Sequence, residues 1–171
     1  MFSTKRLNLR LFTLQDLDLL HQLHANPEVA RTTIDGVQSL ETVKKHLDNF
    51  ISHQEKFGFS QMTVFEKESQ KFVGRAGFTK RALNKEIGEY VEVRFALLPE
   101  FWNQGYASEI TQGLIKFAFE NLNLEIISAA HGVSNDRSAR VLTKNGFQYI
   151  KTIFLDGGGV DSATKFYLLK K

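Results

Sequence analysis

Residues 93–110, VRFALLPEFWNQGYASEI, begin in one pattern and end in another. Val93 to Leu98 read as a buried strand, whereas from Gly105 onward Ile110, Leu114, Phe117 and Ala118 recur at helical spacing, with Asn121 at the end. A glycine with small or polar neighbours therefore stands where a strand feeds a helix. A helix N-terminus presents N–H groups ahead of its hydrogen-bond ladder and a partial positive charge, and glycine lets an anionic oxygen approach where a Cβ would collide. Two readings follow: Gly105 seats a phosphate, or it only permits the turn.

Working outward, the neighbouring segments alternate between strand and helix signals. Leu7, Leu9 and Leu11 alternate with Arg6, Asn8 and Arg10 as a strand with one buried face. Thr13, with Asp16 three residues on, predicts a helix carrying Leu17, Leu20 and Leu23, ended by NPE at 26–28. Ser39 opens a second helix with Val43, Leu47, Phe50 and Ile51 on one face. QMTVFEK, KFVGRAGFTK and EYVEVRFALL are strands separated by the polar stretches ESQ and RALNKEIG, short enough to imply antiparallel pairing. LEIISAA at 124–130 fits an interior strand, NDRSARVLTKNGF a helix capped by Asn135 and ended by Gly146, and 147–155 and 163–169 two last strands joined by DGGGVDS.

The order is β, α, α, β, β, β, α, β, α, β, β. This predicts one α/β (α+β) domain over residues 1–171, with a twisted, mostly antiparallel mixed sheet, a central parallel pair and helices on both faces. The ligand crevice is expected where the parallel pair begins.

Composition narrows the function. The 171 residues suit one core, and a formal net charge of +3 without a run of basic residues argues against nucleic acid while suiting a small anionic ligand. No cysteine is present, which removes disulfides, thiolate metal sites and a cysteinyl intermediate. No signal peptide and no apolar run of membrane-spanning length are found, so a cytoplasmic location is expected, with no membrane partner. No metal is expected, since among five histidines only HQLH at 21–24 forms a close pair, read as surface-lying on its helix. The phosphate-loop and serine-elbow motifs are missing too, and GGG at 157–159 sits between strands.

PEFWNQGYASEI, followed some thirty residues later by NDRSARVLTKNGF, resembles the GNAT superfamily of acetyl-CoA-dependent N-acetyltransferases. The opening TKRLNLRLFTLQDLDLLHQLHANPEVAR resembles the branch holding the ribosomal-protein alanine N-acetyltransferases. The superfamily motif Gln/Arg-x-x-Gly-x-Gly/Ala falls on Trp102, Gly105 and Ala107, with Trp102 departing from the usual residue and Asn103 standing where glycine is common. The resemblance implies that backbone groups from Gln104 through Gly105, Tyr106 and Ala107 to Ser108 hold the coenzyme A pyrophosphate, with Trp102 and Asn103 beside them. It implies also that Phe95, Ala96 and Leu97 pair with the pantetheine arm as one strand pairs with another.

The second motif supplies Asn135, a helix cap that also reaches the arm, and Ser138. Many relatives carry a tyrosine seven residues after that asparagine to protonate the leaving thiolate. Leu142 occupies the position here, which moves that role to Ser138 by resemblance. Glu92, on the strand leading into the crevice, is the candidate general base, with Glu89 and Asp156 behind it. The expected reaction is acetyl transfer from acetyl-CoA to a primary amine, a protein N-terminus or a small amine, by direct attack. The alternative is a non-catalytic coenzyme A-binding sensor or regulatory module. The sequence leaves monomer and homodimer both open.

Overall fold

The computed structural model describes residues 2–33, 36–82, 89–154 and 163–171. Eight strands form one sheet: β1 (Phe2–Ser3), β2 (Leu7–Leu11), β3 (Gln61–Glu66), β4 (Phe72–Ala82), β5 (Glu89–Leu97), β6 (Ile126–Gly132), β7 (Gln148–Phe154) and β8 (Ala163–Lys170). Their spatial order is β1-β2-β3-β4-β5-β6-β8-β7. Every neighbouring pair is antiparallel except the central one, β5 with β6. The helices are α1 (Leu17–His24), α2 (Pro27–Ala30), α3 (Leu40–Phe57), α4 (Tyr106–Glu120) and α5 (Asp136–Lys144).

The mixed sheet with one parallel pair is as the sequence predicts, and local chemistry explains the element ends. Ser39 Oγ accepts the Thr42 N–H at the start of α3, whose last turn closes on Gly58 at φ +76°. Asp16 accepts from the Thr13 N–H and hydroxyl and from both terminal nitrogens of Arg10, fixing a 3₁₀ turn at Leu14–Asp16 that leads into α1. The helix read as starting at Thr13 therefore begins with a tighter turn.

Three expectations are corrected. NPE does not simply end a helix: Asn26 Oδ1 caps α2, a further short helix with Pro27 at its first position, where a missing N–H costs nothing. Arg81 and Ala82, read as part of a connection, extend β4 and pair with Tyr90 and Glu89. His24 of HQLH is 9% exposed, buried against the sheet because Arg75 donates to its Nε2 at 3.1 Å. The short strand β1 was not anticipated, since two residues carry no period.

Arg75 and Phe78 differ by an odd number along β4 and so face opposite sides of the sheet. The Arg75 side meets α1 through His24, while the Phe78 ring stacks on Phe117 of α4 at 6.1 Å. Helices thus cover both faces. Ile110, Leu114 and Ala118 of α4 are fully buried, and each leucine-sized side chain so removed from water stabilises the fold by about 1.5–3 kcal/mol. A second apolar cluster, Phe12, Leu20, Val43 and Leu47, joins α1 to α3.

Candidate functional site

The parallel pairing of β5 with β6 is confined to the register Glu92 with Ser128. Beyond it the strands part, and a cleft of about 770 Å³ opens between Val93–Leu97 and Ala129–Gly132. On its far side β5 stays paired to β4 as far as Leu97, and the Leu98 N–H donates to Val73 O. Alternation along an antiparallel strand then turns the N–H groups of Phe95 and Leu97 into the cleft. Strand pairing has been withdrawn there from a stretch of β5 in the middle of a sheet, which leaves a row of backbone groups for an extended ligand.

The cleft runs to the N-terminus of α4. Asn103 and Gly105 both adopt left-handed backbone, φ +60° and +80°. Asparagine tolerates that region better than other non-glycine residues, which is the physical reason Asn103 can stand where glycine is common. The first helical bond of α4 runs from the Glu109 N–H to Gly105 O at 3.0 Å, so the N–H groups of Tyr106, Ala107 and Ser108 lie ahead of the ladder. Glu109 itself is turned away from them, accepting from Thr4 Oγ1, the Arg6 N–H and Arg6 Nε at 2.6–2.7 Å.

Trp102 donates its indole N–H to Leu97 O at 2.8 Å and lies under the Arg137 guanidinium, 4.5 Å from the ring centre. The Tyr106 ring is buried, and its hydroxyl bonds Glu66 away from the cleft, so only its backbone faces a ligand there. Gln104 donates its side-chain amide to Glu100 O, and its own carbonyl accepts from Arg6, which sets its side chain outside the cleft lining.

Asn135 Oδ1 accepts the Ser138 N–H at 3.1 Å, capping α5, while its Nδ2 donates to Thr32 O at 3.3 Å and ties α5 to the segment after α2. Ser138 is half-buried and lines the cleft beside Arg137, Arg140 and Lys144 of the same helix. Leu142 is buried at 1% exposure. The three cations were not singled out in the sequence, although Arg137 and Arg140 stand on the first turns of the helix capped by Asn135 and Lys144 on its last.

At the opposite end of the cleft stands Glu92, only 6% exposed, its Oε2 2.8 Å from Arg81 Nε. It is therefore no solvent-facing carboxylate. Glu89 points elsewhere, exposed and paired with Lys80 at 2.7 Å, and Asp156 lies outside the described residues, as do the GGG segment and the loop at 155–162. Tyr90 packs edge-on against Phe166 and has its hydroxyl pushed up to about 12, chiefly by burial and then by the Glu92 charge. His24 is held down to about 3 by burial first and the Arg75 charge second. His131 is lowered too, mainly by burial, with Nδ1 on Gly132 O at 2.7 Å and Nε2 3.1 Å from the Tyr167 hydroxyl. Both imidazoles are neutral at pH 7. Among the described residues no group of histidines and carboxylates is placed to hold a metal.

A sheet parted at its one parallel pair, with a bare helix N-terminus and three cations at one end and a buried carboxylate at the other, has the shape and charge to suit an extended, phosphate-bearing ligand beside a second substrate. The acetyltransferase (GNAT) domain model matches residues 6–148, and the chain belongs to that family, its class of activity N-acetyl transfer. It is 30% identical over 148 residues to the uncharacterized N-acetyltransferase YoaA of Bacillus subtilis, a match spanning 85% of this chain and 81% of YoaA.

Its fold is similar to that of RimL, a ribosomal L7/L12 alpha-N-protein acetyltransferase solved with coenzyme A (TM-score 0.78, 20% identity, 98% and 95% of the two chains). It is similar also to a spermidine N-acetyltransferase from Vibrio cholerae solved with coenzyme A and spermine (TM-score 0.77, 16% identity, 96% and 95%). The resemblance to this superfamily seen in the sequence agrees with the family match.

Proposed function

We propose that the protein transfers an acetyl group from acetyl-CoA to a primary amine, a protein N-terminus or a small amine, by direct attack. The observation that carries the reading is the parting of β5 from β6 immediately after Glu92 and Ser128, with the freed backbone leading to Gly105. The residues present fit coenzyme A. The N–H groups of Tyr106, Ala107 and Ser108, with Gly105 leaving room, suit a pyrophosphate, and Arg137, Arg140 and Lys144 suit further phosphate charge. The Phe95 and Leu97 N–H groups suit the amides of the pantetheine arm and the thioester oxygen, where two fixed donors would stabilise developing negative charge.

Glu92 takes the proton from the incoming ammonium or amine, and the ion pair with Arg81 at 2.8 Å holds its carboxylate in place. The Ser138 hydroxyl, half-buried on the first turn of α5, donates to the departing thiolate, and Leu142 supplies an apolar wall instead of a second donor. No cysteine exists to carry an acyl intermediate, which favours a single displacement. Holding amine and thioester together supplies much of the acceleration.

The test is acetyl-CoA turnover, followed as free thiol, over N-terminal peptides, polyamines, amino sugars and amino acids. Turnover by wild type, with loss of rate but retained coenzyme A binding in Glu92→Gln, supports the reading. Coenzyme A binding with no acceptor consumed points instead to a sensor, and absence of binding overturns the assignment of Gly105.

A further inference from the structure

Among the described residues, the end of the cleft at Glu92 is rich in cations. On one face of the sheet β4 contributes Arg75 and Arg81, and β5 contributes Glu92 and Arg94; the registers Arg75 with Ala96, Gly77 with Arg94 and Thr79 with Glu92 place all four on the same side. His24, His46, His53 and His131 also line the cleft. Two of them are neutral as described above. The ring of His53 is engaged on both nitrogens, its Nε2 accepting the Lys80 N–H at 2.9 Å while Nδ1 faces Phe59 O at 2.7 Å. Among the described residues three guanidiniums therefore face one carboxylate.

Their partners differ. Arg81 is matched by Glu92 at 2.8 Å. Arg75 is 6% exposed and fixed from within, donating to His24 Nε2 at 3.1 Å and to Gln61 Oε1 at 2.8 Å. Arg94 is half-buried, acts electrostatically on both His24 and Tyr90, and has no hydrogen bond or ion pair to another described residue. It stands two residues beyond Glu92, a strand spacing of about 6.6 Å. A polycationic acceptor would meet repulsion here, whereas a carboxylate or phosphate attached to the amine would match Arg94 through its forked donors.

We infer that the acceptor is a primary amine bearing an anionic oxygen group a few bonds away, with the amine at Glu92 and the anion received by Arg94. The inference rests on the transferase reading and names its substrate class.

The experiment compares acceptors matched in all but charge: β-alanine with β-alaninamide, O-phosphoethanolamine with ethanolamine, and peptides beginning Ala-Asp with those beginning Ala-Asn, with spermidine as the all-cationic control. Thiol release from acetyl-CoA is measured alongside calorimetric binding of each amine to the protein saturated with coenzyme A. The anionic member of at least one pair is expected to exceed its neutral partner in kcat/KM by roughly tenfold or more, the size of one charge-assisted hydrogen bond. Arg94→Ala should remove that ratio, mainly through KM, and Arg94→Lys should restore part of it. The winning pair tells a free carboxylate, a phosphate and a peptide side chain apart. Equal or better use of the neutral amines or spermidine, or a ratio unchanged in Arg94→Ala, overturns the inference and leaves the transferase reading standing. Arg94-dependent binding of the anionic amines with no thiol released from any acceptor has the opposite meaning: the charge match holds and the transferase reading fails.

Discussion

The indole N–H of Trp102 donates to the carbonyl oxygen of Leu97 at 2.8 Å, joining the turn before α4 to the last residue of β5. This bond fixes the angle between the row of free strand groups and the helix N-terminus. Trp102→Phe keeps an aromatic face for Arg137 but deletes the donor. It is expected to lower stability by about 1 kcal/mol and to weaken coenzyme A binding. Chemical denaturation and calorimetry read the two effects. Trp102 is also the one tryptophan in the chain, so its fluorescence should report coenzyme A binding directly in the wild type.

Gly105 and Asn103 make a paired test of backbone conformation. A Cβ on Gly105 would meet only Arg6 Nη2 at 3.5 Å, an ordinary contact, so the penalty of Gly105→Ala comes from φ +80°. It should cost about 1 kcal/mol and weaken coenzyme A binding. Asn103→Gly, at φ +60°, should be neutral or slightly stabilising, whereas Asn103→Val should destabilise. Thermal melts of the three variants order them.

Glu92→Gln and Ser138→Ala separate proton removal from proton delivery. Each should reduce kcat by about 10²–10⁴-fold if its proton transfer limits the rate, with coenzyme A affinity unchanged. Steady-state kinetics with calorimetry on the same samples provides the check. A large loss of affinity in Ser138→Ala would instead assign that residue to ligand binding.

His24 makes stability fall on mild acidification. Its folded-state value, about 3, lies below the ordinary 6.5, so between these limits the unfolded chain binds the extra proton and stability is lost as pH falls from about 6.5 towards 3. The slope from this one group is at most about 1.4 kcal/mol per pH unit. His131, lowered for the same reason, adds in the same direction. His24→Gln should flatten the acid side of the stability profile measured by urea unfolding between pH 7 and 4.

Asp16 tests the entry to α1. Its carboxylate is 3% exposed and accepts from Arg10, the Thr13 N–H and the Thr13 hydroxyl. Asp16→Asn should cost about 1–3 kcal/mol, read as a shift in the denaturation midpoint, because a charged acceptor shared among four donors is replaced by a neutral amide.

The one-dimensional chain carried the periodic elements because apolar spacing and end chemistry are local. Leu7, Leu9 and Leu11, the Ile110–Leu114–Ala118 stripe, the Ser39 and Asn135 caps, and the glycine at the start of α4 could all be read from neighbours within a few residues. The parallel crossover followed from strand, helix and strand in succession. Segments too short to show a period, β1 and α2, could not be read this way, and the end of β4 was obscured because Arg81 is polar in a strand position.

Tertiary structure alone decided where the strands part, because splaying depends on which strand each of β5 and β6 finds on its outer side, β4 and β8. It decided too that Glu92 is buried against Arg81, and that Arg75 and Arg94 share its face. Charges far apart in the chain become neighbours through register, and register is a property of the whole sheet. The sequence by itself determined that a strand feeds a helix through Gly105; folding determined which charges stand together at the other end of the cleft.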